Sequence, residues 1–65
     1  MKELAEEFYN IIEKIDLSEL DSSEDQYIHM MLGKLELMIK LDLYDIETMK
    51  EAINLIASKG EYLDI

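Results

Sequence analysis

The chain has 65 residues, room for one domain and one core, and it sets 16 acidic residues against six lysines, with no arginine and one histidine, for a net charge of −10. A fold this short buries only about 60% of the surface its unfolded chain exposes, and the absence of cysteine removes disulfides and thiolate metal sites as supports. The charge argues against direct binding to DNA, RNA or an anionic membrane, which all require cationic surface; a basic protein is the matching partner.

The first helix is expected over residues 2–15. Leu4, Phe8, Ile11, Ile12 and Ile15 recur at helical spacing, with Glu3, Glu6, Glu7, Asn10 and Glu13 on the opposite face. Residues 16–23 read as a linker, with Leu17 and Leu20 tucking back onto the core. Ser23 followed by Gln26 matches a capping box, and Glu24 and Asp25 would then occupy the first turn of a second helix over residues 24–40. This helix carries two apolar stripes: Ile28, Met31, Leu32, Leu35, Met38 and Ile39 form one, and Tyr27, Met30, Leu37 and Leu41 the other. Only His29, Gly33, Glu36 and Lys40 form a polar wedge, so the helix is central or covered by a partner. After a short connection, Asp45 is a plausible N-cap for a third helix over residues 46–59, with Ile46, Met49, Ala52, Ile53 and Ile56 as its buried stripe. Lys59 and Gly60 suit its closure, Gly60 in the left-handed conformation. The tail, residues 61–65, carries Tyr62, Leu63 and Ile65 and is expected to pack. The fold class is therefore all-α: a single three-helix domain, up-down-up, with the second helix central.

A chain 49% hydrophobic is not an acidic disordered tail. Met1-Lys2-Glu3 leads into acids rather than a base-flanked apolar run, so no secretory signal is expected. No stretch approaches the roughly 18 apolar residues of a membrane span. A cytoplasmic protein without membrane contact follows.

Catalytic chemistry finds no apparatus. Nucleophilic catalysis needs Ser, Cys or Thr beside a base and an orienting group, but His29 sits on a surface wedge, and Ser22 and Ser23 look committed to capping. Asp25, His29 and Glu36 lie on one helix, without the paired Glu-x-x-His motifs of helix-bundle metal sites. No phosphate-binding glycine loop or dinucleotide fingerprint is present. The expectation is a protein that is not an enzyme and takes no metal or cofactor.

Binding is better served. Residues 1–25 hold nine acids, Glu3, Glu6, Glu7, Glu13, Asp16, Glu19, Asp21, Glu24 and Asp25, against Lys2 and Lys14, a net of −7. The other forty residues carry a net of −3. Carboxylates three or four residues apart on a helix stand about 5–6 Å apart at Cβ, a spacing comparable with that of successive phosphates on a nucleic-acid strand. This acidic half is expected to occupy a basic groove that otherwise holds DNA or RNA; an acidic face also serves solubility alone. In size, acidity and lack of catalytic residues the chain resembles the small phage-encoded inhibitors, including anti-CRISPR and anti-restriction proteins. That resemblance lies in composition, without a shared motif, and implies a nucleic-acid-handling host protein as target. A second feature points elsewhere: Tyr9, Tyr27, Met30, Leu41, Tyr44 and Tyr62 exceed what three short helices need, and such residues are enriched in interfaces. They suit a homodimer or an adaptor docking by its apolar stripe, with Leu37 assigned to the core.

Overall fold

The computed structural model describes residues 1–18 and 20–59, which form three helices and no β-strand: α1 (Lys2–Glu13), α2 (Ser22–Leu41) and α3 (Ile46–Ser58). In α1 the buried residues Ala5, Phe8 and Ile12 follow one face, while Leu4 of the expected stripe is 42% exposed. The helix closes at Glu13, two residues early. The N–H groups of Lys14 and Ile15 bond three residues back to Ile11 and Ile12 (both 3.1 Å), which tightens the last turn in 3₁₀ fashion. Ile15 lies beyond the helix but stays buried. Leu17 and Leu20 pack half-buried against the core, as the linker pattern implied.

The start of α2 corrects the sequence reading. Asp21, not Ser23, is the N-cap: its Oδ1 accepts the Glu24 N–H at 2.8 Å and the Ser23 hydroxyl at 3.2 Å. A carboxylate accepts backbone N–H bonds more strongly than a hydroxyl, so the aspartate takes the cap and Ser23 becomes its donor rather than half of a capping box. At the other end, Asp42 adopts the left-handed conformation (φ 56°, ψ 38°). Its N–H reaches the Ile39 carbonyl (3.3 Å) and the Leu43 N–H reaches Met38 (3.1 Å), a Schellman closure made without glycine.

Asp45 caps α3 as expected; its Oδ2 accepts from the Thr48 hydroxyl at 2.7 Å and the Thr48 N–H at 3.2 Å. The buried face of α3 is turned from the expected one. Thr48, Met49, Ala52 and Leu55 are buried, whereas Ile46 and Ile53 are 59% and 49% exposed. Thr48 is buried at little cost because its hydroxyl is already paired with Asp45. Closure falls at Lys59, with φ −110°. The closing role assigned to Gly60, the packing of residues 61–65 and the positions of Glu19 and Tyr62 lie outside the described residues.

The core gathers Phe8, Ile12 and Ile15 with Ile28, Met31, Leu35 and Met38 and with Met49, Ala52 and Leu55. Contact is most extensive between α1 and α2, intermediate between α1 and α3, and least between α2 and α3. The first helix is thus the element on which both others rest. Lys59 at the end of α3 pairs with Glu24 at the start of α2, so α3 runs back alongside α2.

Candidate interaction surfaces

Four of the nine N-terminal acids form one feature. Glu3, Glu6, Glu7 and Glu13 are all exposed and lie on the side of α1 opposite Ala5, Phe8 and Ile12. Ten residues at about 1.5 Å rise spread them over roughly 15 Å. No described residue forms an ion pair or side-chain hydrogen bond with any of them.

The other acids of the set have work within the fold. Asp16 accepts the Ser18 N–H at 3.0 Å, and this bond holds its carboxyl below the ordinary value. Asp21 is lowered likewise, chiefly by the Glu24 N–H. Glu24 is tied to Lys59, whose side chain is 19% exposed. Asp25 faces His29: the imidazole Nδ1 lies 2.9 Å from the Asp25 carbonyl and 3.0 Å from its Oδ1. These four do not join the α1 ridge: Asp16 closes a turn, Asp21 caps a helix, Glu24 bridges two helices, and Asp25 lies beside His29 with its Oδ1 shielded from solvent and without a hydrogen-bond partner among the described residues.

Glu6 and Asn10 also edge an open groove between α1 and α2, of about 390 Å³, together with Tyr9, Glu36, Ile39 and Lys40. A second groove, between α2 and α3, is lined by Tyr27, Asn54, Leu55 and Ser58 and bridged by the Lys59–Glu24 pair. Neither holds an array that could ligate a metal: no group of three or more His, Asp or Glu is so placed among the described residues. No helix among them is long and apolar enough to cross a membrane.

No protein family, curated protein or solved structure matches this chain. Its surfaces therefore speak for themselves.

The apolar candidates divide. Tyr9, Tyr27 and Tyr44 are half-buried and pack against the core. The Tyr27 hydroxyl donates to Glu51 at a long 3.4 Å; burial first, then that carboxylate, raises its pKa. The Tyr44 hydroxyl is shielded from solvent with no hydrogen-bond partner among the described residues, and burial, followed by the nearby Asp42 carboxylate, raises its pKa too. Met30 and Leu41, in contrast, are 48% and 54% exposed. Leu37 overturns its assignment to the core: it is 55% exposed and stands beside them on the outer side of α2. Ile46 and Ile53, expected in the buried stripe of α3, are exposed, as is Leu43 of the connection.

Proposed function

We propose that the protein is a non-catalytic binding protein of the cytoplasm that inhibits or regulates a basic, nucleic-acid-binding protein by laying the carboxylate ridge of α1 into its basic groove. The carrying observation is that Glu3, Glu6, Glu7 and Glu13 are exposed on one helix face and engaged by no described residue, whereas Asp16, Asp21, Glu24 and Asp25 are engaged by the fold. Carboxylates at helical spacing would mimic a short run of backbone phosphates, the mode of action that the resemblance to phage-encoded anti-CRISPR and anti-restriction inhibitors implies. Charge complementarity of this kind speeds encounter and selects partners, and it weakens with salt because exposed charges are screened within about 8–10 Å.

The test is affinity capture from a lysate with elution by stepped salt, beside a variant with Glu3, Glu6, Glu7 and Glu13 replaced by glutamine. Expected is a basic nucleic-acid-binding protein, released at moderate salt, displaced by DNA or RNA, and not retained by the variant. Equal retention by a correctly folded variant would falsify the reading.

The exposed Met30 and Leu41 favour a second reading, a self-associating or adaptor module whose acidity serves solubility. Tyr9, Tyr27 and Tyr44 support it less, since the core already uses them.

A further inference from the structure

We infer that the outer strip of α2 formed by Gln26, Met30, Gly33, Leu37 and Leu41 is a contact between two copies of this chain, packed antiparallel about Gly33 and strengthened by salt. This rests on the self-association reading, to which it gives a face and an occupant, and it does not depend on the α1 ridge.

The five residues follow one another at intervals of three or four, the period at which one helix packs against another. All five are exposed. The inner row of α2, Ile28, Met31, Leu35 and Met38, has the same period and is buried in the protomer's own core. So α2 carries two packing rows, and the described residues cover only one.

Gly33 lies in the middle of the uncovered row. Glycine inside a helix weakens it, and no described residue makes use of it here: a Cβ at Gly33 would meet none of their atoms within 4 Å. Absence of a side chain is of use where another backbone comes close, and the outer strip is where that approach is open.

Charge selects the occupant. The three acids of α2, Glu24, Asp25 and Glu36, all lie off the strip, and Lys34 and Lys40 border it. These lysines oppose a basic partner, so the protein that matches the α1 ridge does not match this face. Two chains of charge −10 repel wherever acids meet acids, and this strip is a four-turn surface on which they do not. Antiparallel pairing is self-complementary, as a two-fold contact requires: Met30 of each copy faces Leu37 of the other, and Gln26 faces Leu41. A contact made by one helix strip is narrow beside a standard interface of roughly 800 Å² per partner, so a weak dimer is expected, in the micromolar range or weaker. Residual repulsion between the two acidic bodies is screened by salt, so the dimer tightens as salt is raised.

Sedimentation equilibrium at low and high salt, up to millimolar protein, tests this on the wild type and on Leu37→Glu, Gly33→Leu and Ile53→Glu. Circular dichroism confirms that each variant is folded. Expected is a wild-type dimer promoted by salt and weakened about a hundredfold or more by Leu37→Glu, since each change acts twice in the contact. Gly33→Leu should dissociate it while helix content holds or rises, and Ile53→Glu, on the outer face of α3, should leave it intact. A wild type that stays monomeric throughout overturns both this inference and the self-association reading. A dimer indifferent to Leu37→Glu and Gly33→Leu keeps self-association and rejects this face, and a dimer lost in Ile53→Glu alone moves it to α3.

Discussion

In α1 the side chains sort by face, with Ala5, Phe8 and Ile12 buried and Glu3, Glu6, Glu7 and Glu13 exposed behind them, whereas in α2 a buried row of Ile28, Met31 and Leu35 is backed by exposed Met30, Leu37 and Leu41. Both helices hold the core by one apolar row, and both carry on the far side something the core does not use. On α1 the surplus is charge; on α2 it is apolar surface. The lesson is that the hydrophobicity of a helix does not measure its burial. The apolar row that folding needs and the one it leaves over are separated only by phase.

The sharpest way to break that distinction is to truncate one leucine from each row. Leu35 is fully buried, and Leu35→Ala should cost about 2–5 kcal/mol, a large part of the roughly 3–10 kcal/mol a chain of this length commands. Leu37→Ala should stay within about 0.5 kcal/mol when measured on the monomer by urea denaturation. Similar losses for the two would mean that the outer row is core after all.

Next in size are the aspartates that start α2 and α3. Asp21→Ala or Asp45→Ala should each lower the thermal midpoint by about 4–8 °C, while Ser23→Ala changes little. Both carboxyls are held below their ordinary value of 3.8, Asp21 mainly by the Glu24 N–H and Asp45 mainly by the Thr48 hydroxyl. Their contribution is therefore complete above that value and is lost as pH falls through the lower folded-state value. Thermal melts below pH 3.8 should show a loss in the wild type that is smaller in either alanine variant.

The smallest expected effects are gains. Gly33→Ala should stabilise the monomer by about 1 kcal/mol by removing a mid-helix glycine. Asp42→Gly should add about 0.5–1 kcal/mol, because glycine adopts the left-handed closure without a Cβ penalty and an acid is taken from the negative end of α2. A loss in Gly33→Ala at monomer concentrations would place a covering element over Gly33 within the protomer itself.

Three helices, the Asp45 cap and the acid-rich face of α1 were legible in the sequence, because each depends on residues within one or two turns of one another. Where α2 begins was not. Asp21, Ser22 and Ser23 stand in succession, any of the three types caps a helix, and only the hydrogen bond to Glu24 selects Asp21. The phase of α3 was misread for a related reason. Ile46 and Ile53 outrank Thr48 in hydrophobicity, but the side-chain bond between Thr48 and Asp45 makes a buried threonine cheap, and no composition rule carries that pairing. Of the acidic site, spacing revealed the ridge. It did not reveal that Asp16, Asp21, Glu24 and Asp25 are spoken for by backbone, lysine and imidazole, since that is decided by contacts the chain makes only once folded.

That α1 supports both other helices, while α2 and α3 share the least contact, bears on how the molecule breathes. Undocking α3 breaks the less extensive contacts, whereas releasing α1 breaks the most extensive contacts of both neighbours. Amide protons in the later turns of α1 are expected to exchange with solvent more slowly than those of α3, which hydrogen exchange followed by NMR would check. A ligand gripping α1 from outside would therefore hold the element to which both other helices are docked.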